Sequence, residues 1–104
     1  MKFQVELLNC LPYIDKKSNQ PKTRLAYRCI DSKYRQATEK FVGYPELSVY
    51  LDTHNLFNSL KQKPEYFGVA VELEFVEQPS KTNPLKSDLK LKSIKVGNDV
   101  ISVL

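Results

Sequence analysis

The alternation of apolar and polar positions predicts five strands. In residues 2–8, Phe3, Val5 and Leu7 alternate with Gln4, Glu6 and Leu8, and successive side chains of a strand point to opposite faces. Similar patterns occur in residues 23–31, 41–52, 66–77 and 89–96. A Gly97-Asn98 turn and a short terminal strand over 99–104 follow the fifth pattern. The sequence therefore predicts a mostly β protein.

One segment breaks the strand pattern with helical spacing. Leu56, Phe57 and Leu60 fall on one helical face, Asp52 or Thr53 can cap the start, and Pro64 ends the segment. We expect a helix of about two or three turns there. Residues 12–22 and 78–88 are polar and carry two prolines each, which is typical of loops, and residues 33–40 form a polar connector.

The element order is three strands, a helix and two strands, with long loops after the first and fourth strands. This order predicts an OB-fold, a five-stranded partly open barrel. An α+β roll with the same order is the alternative. The chain has 104 residues, a length that suits a single domain over 1–104.

Composition narrows the functional classes. Hydrophobic residues make up 41% and charged residues 27% of the chain, as in a folded globular protein. No apolar run approaches the ~20 residues of a membrane span, and the N-terminal stretch reads as a strand rather than a signal peptide. We therefore expect a cytoplasmic protein without membrane association.

The chemistry-bearing residues argue against catalysis. The two cysteines, Cys10 and Cys29, have no Cys-x-x-Cys spacing, His54 is the single histidine, and the three glycines are scattered. Metal sites and phosphate loops need denser patterns than these. We expect reduced cysteines, no metal, no cofactor and no enzymatic activity.

Binding of a polyanion is better supported. The net charge is +4, and proteins that hold single strands combine cationic grooves with rings on which bases stack. An OB-fold binds on the face of its second and third strands. The segments predicted there carry nine candidate nucleic-acid-binding residues: Arg24, Arg28, Lys33, Tyr34, Arg35, Lys40, Phe41, Tyr44 and Tyr50.

Several of these rings have structural alternatives. Tyr27 shares a strand face with Leu25 and Cys29, so the alternation predicts that it is a core residue. Tyr34 lies between Lys33 and Arg35, which predicts exposure and base stacking. Phe41 and Tyr44 can either stack on bases or pack across the connector. Tyr50 lies on the strand face opposite Leu47, Val49 and Leu51, and whether that face binds nucleic acid is open.

The segments "YRCIDSKY" and "GYPELSVYLD" resemble the gene V-type single-stranded-DNA-binding proteins of filamentous phages and their relatives on mobile elements. In that family an OB strand ends near an Asp and is followed by a Tyr-Pro step into an alternating strand that ends in Leu-Asp. The corresponding positions here are Asp31, Tyr44-Pro45 and Leu51-Asp52. The connector 32–43 is longer than the family's, the loop 78–88 differs, and the C-terminal "NDVISVL" is extra. The resemblance implies cooperative coating of single-stranded DNA during phage or plasmid DNA replication, and a homodimer.

The expected function is therefore sequence-tolerant binding of single-stranded DNA by a phage or mobile-element protein. The residue pattern alone fits RNA strands as well. The alternative is a small protein-binding module, such as a phage-encoded inhibitor of a host protein, because Tyr and Arg are also enriched at protein interfaces.

Overall fold

The fold is mostly β with one short helix, as the sequence predicts. A computed structural model describes residues 1–80, 82 and 85–103. The elements are β1 (Lys2–Ile14), β2 (Pro21–Cys29), β3 (Gln36–Ala37), β4 (Val42–Gly43), β5 (Leu47–Leu51), α1 (Asn55–Lys61), β6 (Ala70–Pro79), β7 (Ser87–Val96) and β8 (Asp99–Ser102). Two 3₁₀ turns, Ser32–Tyr34 and Pro64–Tyr66, precede β3 and β6.

The main sheet is antiparallel and open. Its strand order is β5-β2-β1-β6-β7-β8, and β3 and β4 form a separate two-stranded ribbon. Within the described residues no strand ladder joins β5 to β7 or β8, so the predicted barrel is not closed. The sheet has an edge at β5, where the backbone groups on one side pair with no other strand of the described chain.

The core lies on one face of this sheet and under the helix. Alternate positions of the long strands are buried, and Leu56 and Leu60 of α1 pack against them. The largest of the almost completely buried apolar side chains are Val5, Leu7, Leu25, Leu60, Tyr66, Val71, Leu73, Leu91 and Ile94. The buried Thr23 hydroxyl donates to the Thr53 carbonyl at 2.7 Å, which satisfies a polar group that would otherwise be costly to bury.

The first predicted loop is much shorter than the sequence indicates. β1 continues to Ile14, β2 begins at Pro21, and the turn between them has six residues. A bulge near Leu8 shifts the register, which interrupts the alternation on which the prediction depends. Pro12 lies in a part of β1 that β6 does not cover, and a proline is tolerated at such an edge.

The third and fourth predicted strands also have different bounds. The predicted strand 41–52 is reduced to β5, because residues 41–46 leave the main sheet and only Val42 and Gly43 pair, with β3. Tyr66 and Phe67 precede β6 rather than beginning it. The fifth strand and the terminal hairpin are confirmed, and Gly97 has the positive φ of 59° that the first position of a type II′ turn requires.

Part of the second predicted loop, at residues 81, 83 and 84, lies outside the described residues. Leu104, the end of the predicted terminal strand, lies outside them as well.

Candidate functional site

The outer face of β2 and β5 brings together four of the nine candidate residues. Leu25 and Val49 are cross-strand partners on the core side, so the residues next to them point to the opposite face. Arg24 lies directly opposite Tyr50 on that outer face. We call the surface formed by Arg24, Arg28, Tyr44 and Tyr50 the β2–β5 face.

Tyr50 is the most exposed ring of this surface. It is 59% exposed, although it lies in the middle of a strand whose core side is apolar. Directly opposite side chains in an antiparallel pair have Cβ atoms about 4.5–5.5 Å apart, so Tyr50 and Arg24 are neighbours on this face, and the Arg24 guanidinium extends to Glu46 at 3.5 Å. A ring beside a cation is the combination that binds a base and its phosphate.

Arg28 and Tyr44 form the second ring–cation pair of the β2–β5 face. The Arg28 guanidinium carbon lies 5.8 Å from the centre of the Tyr44 ring, within the range of a cation–π contact. The same guanidinium donates to Glu6 at 3.0 Å. Among the described residues its buried Nε atom has no hydrogen-bond partner, so a ligand can be reached only by the outer N–H groups of this guanidinium.

Carboxylates accompany most of the predicted cations. Arg24 lies 3.5 Å from Glu46, and Lys33 lies 3.9 Å from Asp31. Together with the Arg28–Glu6 pair, these contacts make the surface less positive than the predicted cluster of cations suggests. Glu6 is the cross-strand neighbour of Arg28 and Glu46 directly precedes β5, and the sequence pattern reveals neither of these contacts.

Lys33 and Tyr34 lie on the 3₁₀ turn that follows β2. The Asp31 carboxylate accepts from the Lys33 backbone N–H at 3.0 Å and caps the turn. The Tyr34 ring is half-buried and contacts Phe3 edge-to-face, with ring centres 6.5 Å apart. The Lys33 ammonium lies 5.2 Å from the Tyr34 ring. The predicted exposure of Tyr34 is therefore wrong, because Phe3 offers it an apolar partner at the end of the core.

Arg35, Lys40 and Phe41 lie along the β3–β4 segment. Lys40 and Phe41 are in its turn, where the Thr38 hydroxyl accepts from both backbone N–H groups. All three side chains are exposed. In the described part of the chain, no hydrogen bond, ion pair or ring contact joins them to Arg24 or Tyr50.

The register also places Leu11 and Tyr13 on the β2–β5 face, and the sequence pattern missed Leu11. Leu11 lies opposite Arg24 on the β1 side, and Tyr13 lies opposite Lys22. Leu11 is 51% exposed, so it extends the apolar part of the surface next to the arginine. The bulge near Leu8 brings both side chains to this face, and without it the alternation would place them on the core side.

Comparison with protein-family models, with curated proteins and with solved structures finds no match.

Three groups near this face have shifted pKa values. The hydrogen bond from the Lys22 ammonium to Asp52, at 2.7 Å, raises the pKa of Lys22. Burial raises the pKa of Tyr27, which is half-buried on the core side as predicted. Burial also raises the pKa of Cys10 to about 11, so this thiol is protonated at neutral pH and is a poor nucleophile.

Within residues 1–80, 82 and 85–103, no three His, Cys, Asp or Glu side chains are grouped so that they could hold a metal ion. The same residues contain no helix with the length and apolarity needed to span a bilayer.

Proposed function

We propose that the protein binds single-stranded DNA without strong sequence preference, through the β2–β5 face. The observation that carries the proposal is the pairing of the exposed Tyr50 ring with Arg24 across two neighbouring strands. The ring supplies a stacking platform and the guanidinium supplies a phosphate contact, with Arg28 and Tyr44 repeating the arrangement nearby.

The topology supports an OB-type arrangement. Five principal strands are β1, β2, β5, β6 and β7, and α1 lies between the third and fourth of them along the chain. The first lies inside the sheet between the second and the fourth. The β2–β5 face is then the face of strands two and three, which is the oligonucleotide-binding face of OB-folds.

The carboxylate partners of the arginines do not oppose this function strongly. Arg24–Glu46 and Arg28–Glu6 are partly exposed pairs, and such pairs typically contribute ~0–1 kcal/mol. A guanidinium also has five N–H donors, so it can contact a phosphate while it keeps one carboxylate contact. We expect binding of moderate affinity that depends on salt.

Titration of a fluorescent oligo-dT at several salt concentrations tests the proposal. Each phosphate neutralised by an arginine or lysine contributes about −0.7 to the slope of log affinity against log salt for a single strand. Duplex DNA of equal length should bind more weakly, because its bases cannot reach Tyr50 and Tyr44. Equal affinity for both forms, or affinity indifferent to salt, contradicts the proposal.

A protein-binding role is the second candidate, and the unpaired β5 edge favours it. An extended peptide can add a strand to such an edge through backbone hydrogen bonds. The absorbance spectrum of the purified protein separates the two candidates, because the chain has six tyrosines and no tryptophan, so co-purified nucleic acid is easy to detect. A preparation that carries no nucleic acid and ignores oligonucleotides favours the protein-binding role.

A further inference from the structure

A groove runs between β5 and β7 on the open side of the sheet. It consists of two adjoining depressions with volumes of about 320 and 280 Å³, and we call it the seam groove. β5 and the start of α1 line one side, and residues of β6, β7 and β8 line the other. No strand ladder of the described residues crosses it, so a ligand can reach both walls.

The seam groove is continuous with the β2–β5 face through Tyr50. Tyr50 and Lys90 each line both depressions, Tyr50 from β5 and Lys90 from β7. Tyr50 also lies opposite Arg24 on the β2–β5 face. The exposed ring therefore has an arginine on the neighbouring strand to one side and a lysine across the groove on the other.

Lys90 gives the seam groove a net positive charge. Asp52 is the one acid among the described lining residues, and Lys22 balances it at 2.7 Å. In the described part of the chain Lys90 forms no ion pair, whereas Arg24 and Arg28 each have a carboxylate partner. The unbalanced charge favours an anionic ligand group, and no carboxylate competes with that ligand for the Lys90 ammonium.

Uncharged donors line the same groove. The side chains of Ser59, Gln78 and Ser102 contribute to its wall, and within the described residues they make no hydrogen bond with the protein. Hydroxyl and amide side chains are common donors to the phosphate oxygens of nucleic acids. One lysine ammonium and several neutral donors in a concave site therefore suit a phosphate group.

From this arrangement, and on the basis of the proposed function, we infer that the bound strand crosses the seam groove and that Lys90 contacts the phosphate next to the base stacked on Tyr50. Arg24 and Lys90 then hold phosphates on the two sides of the Tyr50 ring. The binding surface accordingly extends from β2 and β5 to β7, and the strand runs across the sheet rather than along β2.

Titration of oligo-dT with Lys90→Met, which removes the charge and keeps an unbranched side chain, tests this course of the strand. Loss of one phosphate contact should make the slope of log affinity against log salt shallower by about 0.7. The affinity advantage of the wild-type protein should therefore shrink about fivefold for each tenfold rise in salt. Ser102→Ala should weaken binding at an unchanged slope, because a hydroxyl neutralises no phosphate.

Lys95→Met is the matched control. Lys95 is exposed on the same strand, does not line the seam groove, and forms no ion pair within the described residues. Its replacement removes the same charge and should leave the slope unchanged. Lys90 is exposed as well, so its variant should fold, and Lys90→Gln gives the same measurement with a polar side chain if Lys90→Met melts early.

A shallower slope for Lys90→Met alone supports the crossing strand. Salt-dependent binding with the same slope for the wild-type protein and Lys90→Met overturns it and leaves the proposed function intact. An equal change in both lysine variants also overturns it, because Lys90 then acts only through net charge. A change confined to oligonucleotides with a terminal phosphate overturns it too, since the groove then holds a strand end. If no oligonucleotide binds, both proposals fail.

Discussion

Replacement of Tyr50 by alanine should separate folding from binding. Tyr50 keeps 59% of its surface exposed, so about two-fifths of it is covered. Full burial of a large apolar side chain contributes ~1.5–3 kcal/mol, and the covered part therefore corresponds to ~0.6–1.2 kcal/mol. We expect Tyr50→Ala to lower the free energy of unfolding by ~0.6–1.2 kcal/mol and not more, because the core side of β5 is untouched.

The same substitution should weaken binding more than it weakens the fold. A base stacked on an aromatic ring contributes ~1–3 kcal/mol, so the dissociation constant for oligo-dT should rise about 5- to 150-fold. The salt slope should stay constant, because a tyrosine neutralises no phosphate. Fluorescence anisotropy at several salt concentrations measures both quantities, and chemical denaturation measures stability.

Tyr50→Phe is the control, since it removes the hydroxyl and keeps the ring. It should bind oligo-dT like the wild-type protein. Unchanged affinity of Tyr50→Ala in a folded protein would refute the stacking argument, and a large loss in Tyr50→Phe would show that the hydroxyl, not the ring, is what the ligand contacts.

Three further predictions concern residues around the β2–β5 face. Tyr34→Ala should lower the free energy of unfolding by about 1–2 kcal/mol, because the ring contact with Phe3 and the partial burial are lost. Chemical denaturation measures this change. A change below ~0.5 kcal/mol, typical of surface substitutions, would contradict the core role of Tyr34. Glu46→Gln removes the carboxylate 3.5 Å from Arg24 and should tighten oligo-dT binding at low salt, whereas Glu65→Gln, an exposed change in the second 3₁₀ turn, should tighten it less. Folding raises the pKa of Cys10 from 9.0 to about 11. Because the thiol of the unfolded chain therefore ionises first, stability should fall as pH rises from about 9 to 11. The denaturation midpoint of Cys10→Ala should fall less over that range, and a pH profile identical to that of the wild-type protein would refute the assignment.

Local pattern is sufficient for the parts of the fold in which each residue's environment depends on its immediate neighbours. The alternation in β6 predicts which side chains are buried, because a strand with one core face repeats every second residue, whereas in β2 Ala26 is completely buried on the face opposite Leu25. Leu56 and Leu60 predict the buried side of α1 for the corresponding helical reason. Gly97 predicts the last hairpin, because its positive φ is costly for residues with a Cβ atom.

The candidate site depends on contacts between residues far apart in the chain. Tyr34 is half-buried because Phe3 lies beside it, and Arg28 is paired because β1 places Glu6 opposite it. Neither partner can be inferred from local spacing. The bulge near Leu8 likewise decides that Leu11 faces the same side as Arg24, since a shift of one residue moves every later side chain to the other face.

The sequence by itself determined that this protein is mostly β, that one short helix interrupts the strands, and that arginines and tyrosines concentrate between residues 24 and 50. Only the tertiary structure decided which of those rings are exposed, which cations have acidic partners, and that the sheet stays open beside β5. The physical reason is that alternation reports the two faces of a single strand, whereas exposure, ion pairing and closure depend on which strands become neighbours and in what register.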